Sequence, residues 1–425
     1  MKVFLESIGC RLNLSEIEKI AAELRNAGHE IVGDTSDADI AIVNTCAVTS
    51  SASADSRKSI RRIANSGCEK IYVTGCYATV APETVIDLPS VVSLYSNDGK
   101  KDIITDLFEQ FQIQPGISTS VVREPLPGKN HRTRAFIKAQ DGCDNHCTFC
   151  LTRIARGKSV SQTKTEIFVD VENALKGGAK EIVLTGVNLG SWGKDLRDGF
   201  TLPKLISQII NRYSPNRIRL SSLEPWDIDR SYFRVFEHPS FCQHLHLPLQ
   251  SGSDVVLMKM GRKMLTKEYQ ELIQNIRSDF PEMAITTDLM VGFPGESEKD
   301  FIESIAFVKN LNFSGGHVFR YSPRPGTPAA KMDKIVQEKE KIYRSKKMRQ
   351  VIADSEDQYK KKFLNKKLSV LWEKIEKQDK ENYLLSGLTG NYLRVTVAAH
   401  EDLQNMISEV QIIKIENNHL LGQIV

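Results

Sequence analysis

Short apolar runs and helical spacings take turns along the first 110 or so residues. KVFLESIG (2–9) reads as a strand. From Asn13 to Ala27 the apolar residues Leu14, Ile17, Ile20, Ala21 and Leu24 fall three or four apart, which predicts a helix that Gly28 ends. ADIAIVNT (38–45) is a continuous apolar run of the kind buried on both faces of a parallel sheet. A second helix is expected from Ser50 to Ser66, stopped by Gly67, and KIYVTG (70–75) is a third strand. This β-α-β-α-β order predicts an α/β domain with a doubly wound parallel sheet.

Proline, glycine and polar residues crowd the stretch 113–130, which reads as a linker. A second alternating series starts at Arg134. Its strand candidates are AFIKAQ (135–140), EIVLTGV (181–187), RIRLSS (217–222), HLHLPLQ (244–250), AITTDLMVG (284–292) and GHVFRYS (316–322). Helical spacings lie between them, as at Lys164–Lys176 and Lys267–Arg277. Six such repeats over about two hundred residues suit an open, partial β/α barrel, in which chemistry sits at the C-terminal ends of the strands. A charged helix is expected from about 331 to 362. The last sixty or so residues lose the helical period and read as five short strands, a small antiparallel β-barrel. The domains expected are therefore 1–112, the linker 113–130, 131–360 and 361–425.

A chain of 425 residues is long enough for two or three domains. A net charge of +4 leans weakly towards acidic partners. No apolar run is long enough to span a bilayer, and no secretory leader precedes the first strand, so a cytoplasmic protein without a membrane partner is expected. In that compartment thiols stay reduced, and cysteines at metal spacing are ligands sooner than disulfides.

Six of the eight cysteines form two triplets. The compact one, Cys143, Cys147 and Cys150, lies in DGCDNHCTFC just after the first strand of the second series. Zinc would want a fourth ligand, usually from a second C-x-x-C pair, and none is nearby; His146 between two of the cysteines is poorly placed to serve. The dispersed triplet, Cys10, Cys46 and Cys76, has one member just past each of the first three predicted strands. In a parallel sheet those ends share one edge, near the switch point where such sheets bind ligands. Three thiolates hold three irons of a 4Fe–4S cube, whose usual set is four cysteines, and leave the fourth iron open. Cys68 and Cys242 read as packing residues.

DGCDNHCTFC after a first β-strand resembles the radical S-adenosylmethionine (SAM) superfamily. SIGCRLNLSE, VNTCAVTSSA, VTGCYA, HLPLQSGSD and the small C-terminal barrel, which resembles a TRAM domain, are similar to one branch of it, the methylthiotransferases. The resemblance covers essentially the whole chain. It implies two 4Fe–4S clusters, one per triplet, and SAM both as methyl donor and as radical source. The cluster on Cys10, Cys46 and Cys76 would supply or carry the sulfur. It also implies SAM or substrate contacts from Phe149, Gly186, Asn188, Ser222, Glu224, Gln250 and Gly292, with no catalytic side chain beyond the cluster ligands. One departure stands out: after Cys150 the run is LTRIARG, with Thr152, Arg153 and Ile154 in place of the family's usual stretch, though Arg156 and Gly157 remain.

Members of the family modify either tRNA or a ribosomal protein. Ala47-Val48-Thr49 after Cys46 resembles the MtaB-like branch, which transfers a methylthio group to carbon 2 of N(6)-threonylcarbamoyladenosine at tRNA position 37. The alternatives are MiaB-like modification of isopentenyladenosine and RimO-like modification of a ribosomal-protein aspartate. The resemblance implies the anticodon stem-loop of tRNA and an electron donor such as flavodoxin or ferredoxin as partners; a monomer is expected. Residues 331–367 carry 13 basic and 6 acidic side chains, a local excess of +7 that suits a phosphate backbone.

Overall fold

The structure, a computed structural model, describes residues 1–111, 122–128, 131–379, 382–416 and 418–425. Of the expected linker, 113–121 and 129–130 lie outside the described residues. The chain forms two compact units, one of residues 1–145, 150–188 and 192–200, the other of 146–149, 189–191 and 201–425.

The first unit opens with five parallel strands: β1 (Lys2–Ser7), β2 (Glu30–Val32), β3 (Ile40–Thr45), β4 (Ile71–Gly75) and β5 (Val91–Tyr95), in the order β2-β1-β3-β4-β5. Side chains alternate across this sheet, as the two-residue period of a strand requires. Val3, Leu5, Ile40 and Ile42 face α1 (Arg11–Asn26) and α5 (Asp102–Gln110), meeting Ile17, Leu24, Ile103 and Leu107. Phe4, Ala41, Val43, Ile71 and Val73 face the other way, onto Ile60 and Ile63 of α2 (Ser50–Asn65). Truncating a fully buried residue such as Ile17 to alanine would cost about 2–5 kcal/mol. Two short helices, α3 (Cys76–Val80) and α4 (Pro82–Ile86), follow β4. The three expected strands are present as β1, β3 and β4. Sequence pattern missed β2, which has only three residues, and β5, whose half-buried VVSLY has no clean alternation.

The same unit continues with β6 (Ala135–Lys138), β7 (Gln140–Asp141), α6 (Thr152–Arg156), β8 (Val160–Ser161), α7 (Lys164–Lys176) and β9 (Glu181–Thr185). β6 and β9 pair in parallel, and β7 and β8 antiparallel. A reciprocal cap between Thr163 and Glu166 starts α7 and satisfies two of its free N–H groups.

The second unit holds α8 (Leu202–Tyr213), β10 (Arg217–Leu220), α9 (Phe233–Phe236), β11 (His244–His246), α10 (Asp254–Lys259), α11 (Thr266–Asp279), β12 (Ala284–Val291), α12 (Glu298–Leu311), β13 (Gly315–Arg320) and α13 (Glu338–Lys361). β11, β12 and β13 pair in parallel. All six strands of the expected β/α series are therefore present. The charged helix begins at Glu338 rather than near 331. A tight turn occupies Pro328–Lys331, Lys334 takes a left-handed conformation at φ 59°, and Glu338 and Glu340 supply the acidic first turn that the positive helix end favours.

Five strands close a barrel after α13: β14 (Lys367–Asp379), β15 (Asn382–Thr389), β16 (Arg394–Ala399), β17 (Ile407–Glu416) and β18 (His419–Ile424), in the order β14-β15-β16-β18-β17. Four of the five pairings are antiparallel; β16 and β18, which close the ring, run parallel. Trp372, Leu385, Val395, Val410 and Ile412 fill it and pack on Tyr359 of α13 and on Phe363 just past its end.

Candidate functional site

The order β2-β1-β3-β4-β5 reverses direction between β1 and β3, which places the switch point where Cys10 and Cys46 follow their strands. Register completes the edge. Ser7 lies beside Asn44, and Thr45 beside Gly75, so Cys46 and Cys76 leave neighbouring strands at the same level. Glycines allow the approach. Gly9 has φ +95°, and a Cβ there would lie 2.4 Å from Cβ and 2.5 Å from Sγ of Cys46. Gly75 has φ +99°, and a Cβ would sit 2.3 Å from the Thr45 carbonyl oxygen. Only glycine fits either position.

Polar side chains fix the edge. Asn13 donates to the carbonyls of Ile8 (2.8 Å) and Thr45 (3.0 Å), and its Oδ1 stands 3.7 Å from the Cys10 thiol. The Cys46 N–H donates to Ser56 Oγ at 3.1 Å. Asn97 Nδ2 reaches Cys76 Sγ at 3.6 Å. Cys46 and Cys76 are buried, whereas Cys10 keeps solvent access. Burial pushes the Cys46 thiol up to about 11, and the neighbouring Cys10 and Cys76 add to the rise. Desolvation by the surrounding protein also raises the Cys10 thiol, although the residue stays exposed in part, against the opposing pull of the Arg156 guanidinium. Soft metal cations are what would hold these clustered thiols deprotonated, and Cys thiolates are the ordinary ligands of iron–sulfur cubes. Among the described residues no three His, Cys, Asp or Glu side chains close around a single metal ion. A cube makes no such demand, because each thiolate binds a different iron.

Beneath this edge lies a buried charge network. Glu16 accepts from Asn44 (3.1 Å), Lys138 (3.0 Å) and Arg156 (3.0 Å), and also pairs with Lys100. Burial alone would raise its pKa, but Lys100, Arg156 and Lys138 outweigh burial and hold the carboxyl well below the usual range.

The compact triplet sits on the loop after β7. Gly142 (φ +65°) enters it, and a Cβ there would lie 1.8 Å from the Lys158 carbonyl oxygen. In the first unit, the Cys143 N–H donates to the Gly157 carbonyl (3.1 Å), the Asn145 N–H points at Cys143 Sγ (3.4 Å), and the Thr152 N–H points at Cys150 Sγ (3.4 Å). In the second unit, the Thr148 N–H donates to the Met260 carbonyl and Thr148's own carbonyl accepts from Ala329, both at 2.9 Å. Phe149 meets Phe293 edge-on, ring centres 6.5 Å apart, in a cluster with Val256, Met260, Tyr321 and Ala329.

Arg262, for which the sequence offered no signal, belongs to the same unit. It approaches Cys147 Sγ at 3.7 Å, grips both oxygens of Glu224 (2.7 and 3.3 Å), donates to the Pro248 carbonyl and lies over the Trp226 ring. Glu224, expected at a ribose or substrate, is thus paired with a buried guanidinium.

The remaining sequence candidates are placed as follows. Gly186 and Asn188 follow β9, and the Asn188 N–H donates to Gln140 Oε1 at 2.8 Å. Ser222 bridges to His246 beside β11. Gln250 takes φ 76° and exchanges backbone bonds with Asp288 and Met290. Gly292 (φ +74°) packs on Lys341, and its N–H donates to Glu296, which is paired with Arg344. Thr49 caps α2 by accepting from the Ala52 N–H at 3.0 Å, so its hydroxyl already has a structural task; Val48 before it is exposed.

Among the described residues, α2 and α13 carry basic side chains on exposed faces. α2 presents Arg57, Lys58, Arg61 and Arg62 along one side. On α13, Lys346, Lys347 and Arg349 are exposed, but Lys341, Arg344 and Lys360 are buried, so part of the local charge excess serves packing. Tyr392 stacks on His244 at 4.1 Å and has Arg219 over its ring, a structural placement; Tyr383 is half-buried.

Residues 2–96 match a family described as "Uncharacterized protein family UPF0004", and residues 137–308 match the radical SAM superfamily. The chain is 37% identical, over 98% of its length and 94% of the relative's, to the threonylcarbamoyladenosine tRNA methylthiotransferase MtaB of Thermotoga maritima. It is 32% identical, over 99% and 95%, to the tRNA-2-methylthio-N(6)-dimethylallyladenosine synthase of Clostridium tetani. Its fold is like that of the radical SAM methyltransferase TsrM of Kitasatospora setae (TM-score 0.58, 13% identity, 77% of each chain covered).

Proposed function

We propose a function for this chain from one premise: it belongs to the MtaB-type radical SAM methylthiotransferases, enzymes that methylthiolate tRNA. The substrate is N(6)-threonylcarbamoyladenosine in the anticodon loop, and the product carries a methylthio group on carbon 2 of the base. The observation that carries this choice is the full-length similarity to a relative named for that nucleoside, at higher identity than to relatives named for the dimethylallyl substrate. Ala47-Val48-Thr49 agrees, although Thr49 acts as a helix cap, which leaves exposed Val48 as the member of the three free to meet a ligand.

The cysteines divide the labour. Cys143, Cys147 and Cys150 would hold one 4Fe–4S cluster, with SAM at its open iron; Cys10, Cys46 and Cys76 would hold the other. When bound, these groups supply an electron that cleaves SAM and a sulfur that accepts its methyl group. The protein's own part is to position and to shield. The glycines at 9, 75 and 142 let the backbone close up to the thiols. Arg262 neutralises thiolate charge at Cys147 and locks Glu224 in place. Phe149 and its apolar neighbours keep water from one side of the loop. The basic faces on α2 and α13 suit a phosphate backbone, with binding that weakens as salt rises. The domains of this enzyme we take to be 1–112, 131–360 and 361–425; α5 ends at Gln110 and α13 at Lys361.

Nucleoside mass spectrometry of tRNA from a deletion strain tests the assignment. Loss of 2-methylthio-N(6)-threonylcarbamoyladenosine alone is expected. Loss of the methylthio isopentenyl nucleoside, or of a methylthio-aspartate in a ribosomal protein with tRNA unchanged, would overturn it.

A further inference from the structure

We propose that α6, the short helix starting two residues past Cys150, is a strut that ties the compact loop to the dispersed cysteines, and that Arg156 is its positioning residue. This rests on the two-cluster reading above and adds a role for residues that reading leaves unused. Cys143, Cys150, α6, the dispersed cysteines and every partner named below lie in the first unit.

Arg156 reaches the support of Cys10 and Cys46, not the thiols themselves. Its side chain is 2% exposed. One nitrogen donates to Glu16 (3.0 Å) and Asp141 (2.9 Å), and the other to Asn13 Oδ1 (2.5 Å). Asn13 in turn straps the carbonyls of Ile8 and Thr45, the backbone just ahead of Cys10 and Cys46, and its Oδ1 faces the Cys10 thiol. Cys76 is tied separately. Asn97 donates to the carbonyl of Ala155, one residue before Arg156, at 2.5 Å and reaches Cys76 Sγ at 3.6 Å. Leu151 and Ala155 are buried in the same apolar cluster as Cys76 and Tyr77. One five-residue helix therefore touches the supports of all three dispersed cysteines.

Two consequences follow from the physics. A planar guanidinium held by three partners fixes direction as well as charge, which a lysine cannot reproduce. A buried positive charge beside a cluster also favours its reduced, more negative state, so removing that charge makes the cluster harder to reduce.

The test uses full-length anaerobically reconstituted protein with Cys143, Cys147 and Cys150 changed to alanine, so that the dispersed site alone reports. Its midpoint potential is measured by EPR-monitored titration in this background and with Arg156→Lys or Arg156→Met added. In the intact chain, methylthio product per 5′-deoxyadenosine is measured for the same substitutions. The potential should stay near its starting value in Arg156→Lys and fall in Arg156→Met. Coupling should drop in both, by about a hundredfold for a displacement near 1 Å. An unchanged potential in Arg156→Met, or full coupling in Arg156→Lys, would overturn the strut. If Arg156→Met holds no cluster, Asn97→Ala, which cuts only the Cys76 tie, decides: lowered coupling supports the proposal and wild-type coupling refutes it. No iron–sulfur signal in the parent triple variant would instead count against the two-cluster reading itself.

Discussion

The two cysteine triplets proposed to hold clusters are built in opposite ways. Cys143, Cys147 and Cys150 share eight residues of one loop, so chain connectivity alone brings them near each other. Cys10, Cys46 and Cys76 are separated by about thirty residues each and meet only because β1, β3 and β4 are parallel neighbours in register. The compact site is written in local spacing, the dispersed one in topology. Damage to the sheet edge should therefore empty one site and spare the other.

The sharpest break in this symmetry comes from glycines. Gly75→Ala drives a Cβ to 2.3 Å from the Thr45 carbonyl oxygen and forces an L residue to φ +99°. The backbone strain alone is worth about 1–3 kcal/mol, and the clash adds to it. Iron and sulfide should fall to about half, the content of one cube, while SAM cleavage persists. Gly142→Ala, with a Cβ 1.8 Å from the Lys158 carbonyl oxygen, should do the reverse and abolish cleavage. Metal analysis with a 5′-deoxyadenosine assay reads both.

Arg262→Ala comes next. It strands Glu224 and removes the charge beside Cys147, at a cost of about 3 kcal/mol by denaturant titration. SAM cleavage should weaken while the dispersed site keeps its iron. Thr49→Ala removes the α2 cap and should cost about 1 kcal/mol; an unchanged nucleoside product would show that the residue after Val48 shapes the helix rather than the substrate choice. The smallest effect is kinetic. In iron-free protein Cys46, pushed up to about 11, is almost wholly thiol at neutral pH. Because thiolate is the reactive form, its alkylation should accelerate about tenfold per pH unit until that value is reached.

The same contrast explains what was legible in the sequence. The three strands carrying the dispersed cysteines announced themselves as apolar runs, and the βαβ rule then placed their ends together. β2 and β5 were too short or too mixed to register, although they make the sheet five-stranded and put the switch point beside β1. The roles of Arg156, Arg262 and Glu16 were invisible, because a buried ion pair is a relation between distant residues and leaves no period. Nothing in the sequence marks Gly75 or Gly142; their necessity lies in a neighbouring strand and in the Gly157–Lys158 backbone. The expected start of the charged helix at 331 failed for a local reason, since charge composition does not register the left-handed Lys334 that precedes the helix.

The central claim is that both triplets hold a four-iron cube, each through three thiolates. Mössbauer spectroscopy of anaerobically reconstituted, iron-57-labelled protein tests it most directly, alongside the two triple-alanine variants. The account predicts about eight irons per chain in two cubes, with each triple variant losing one cube and keeping the other. A single cube in the intact chain, or both cubes surviving the loss of Cys10, Cys46 and Cys76, would contradict it.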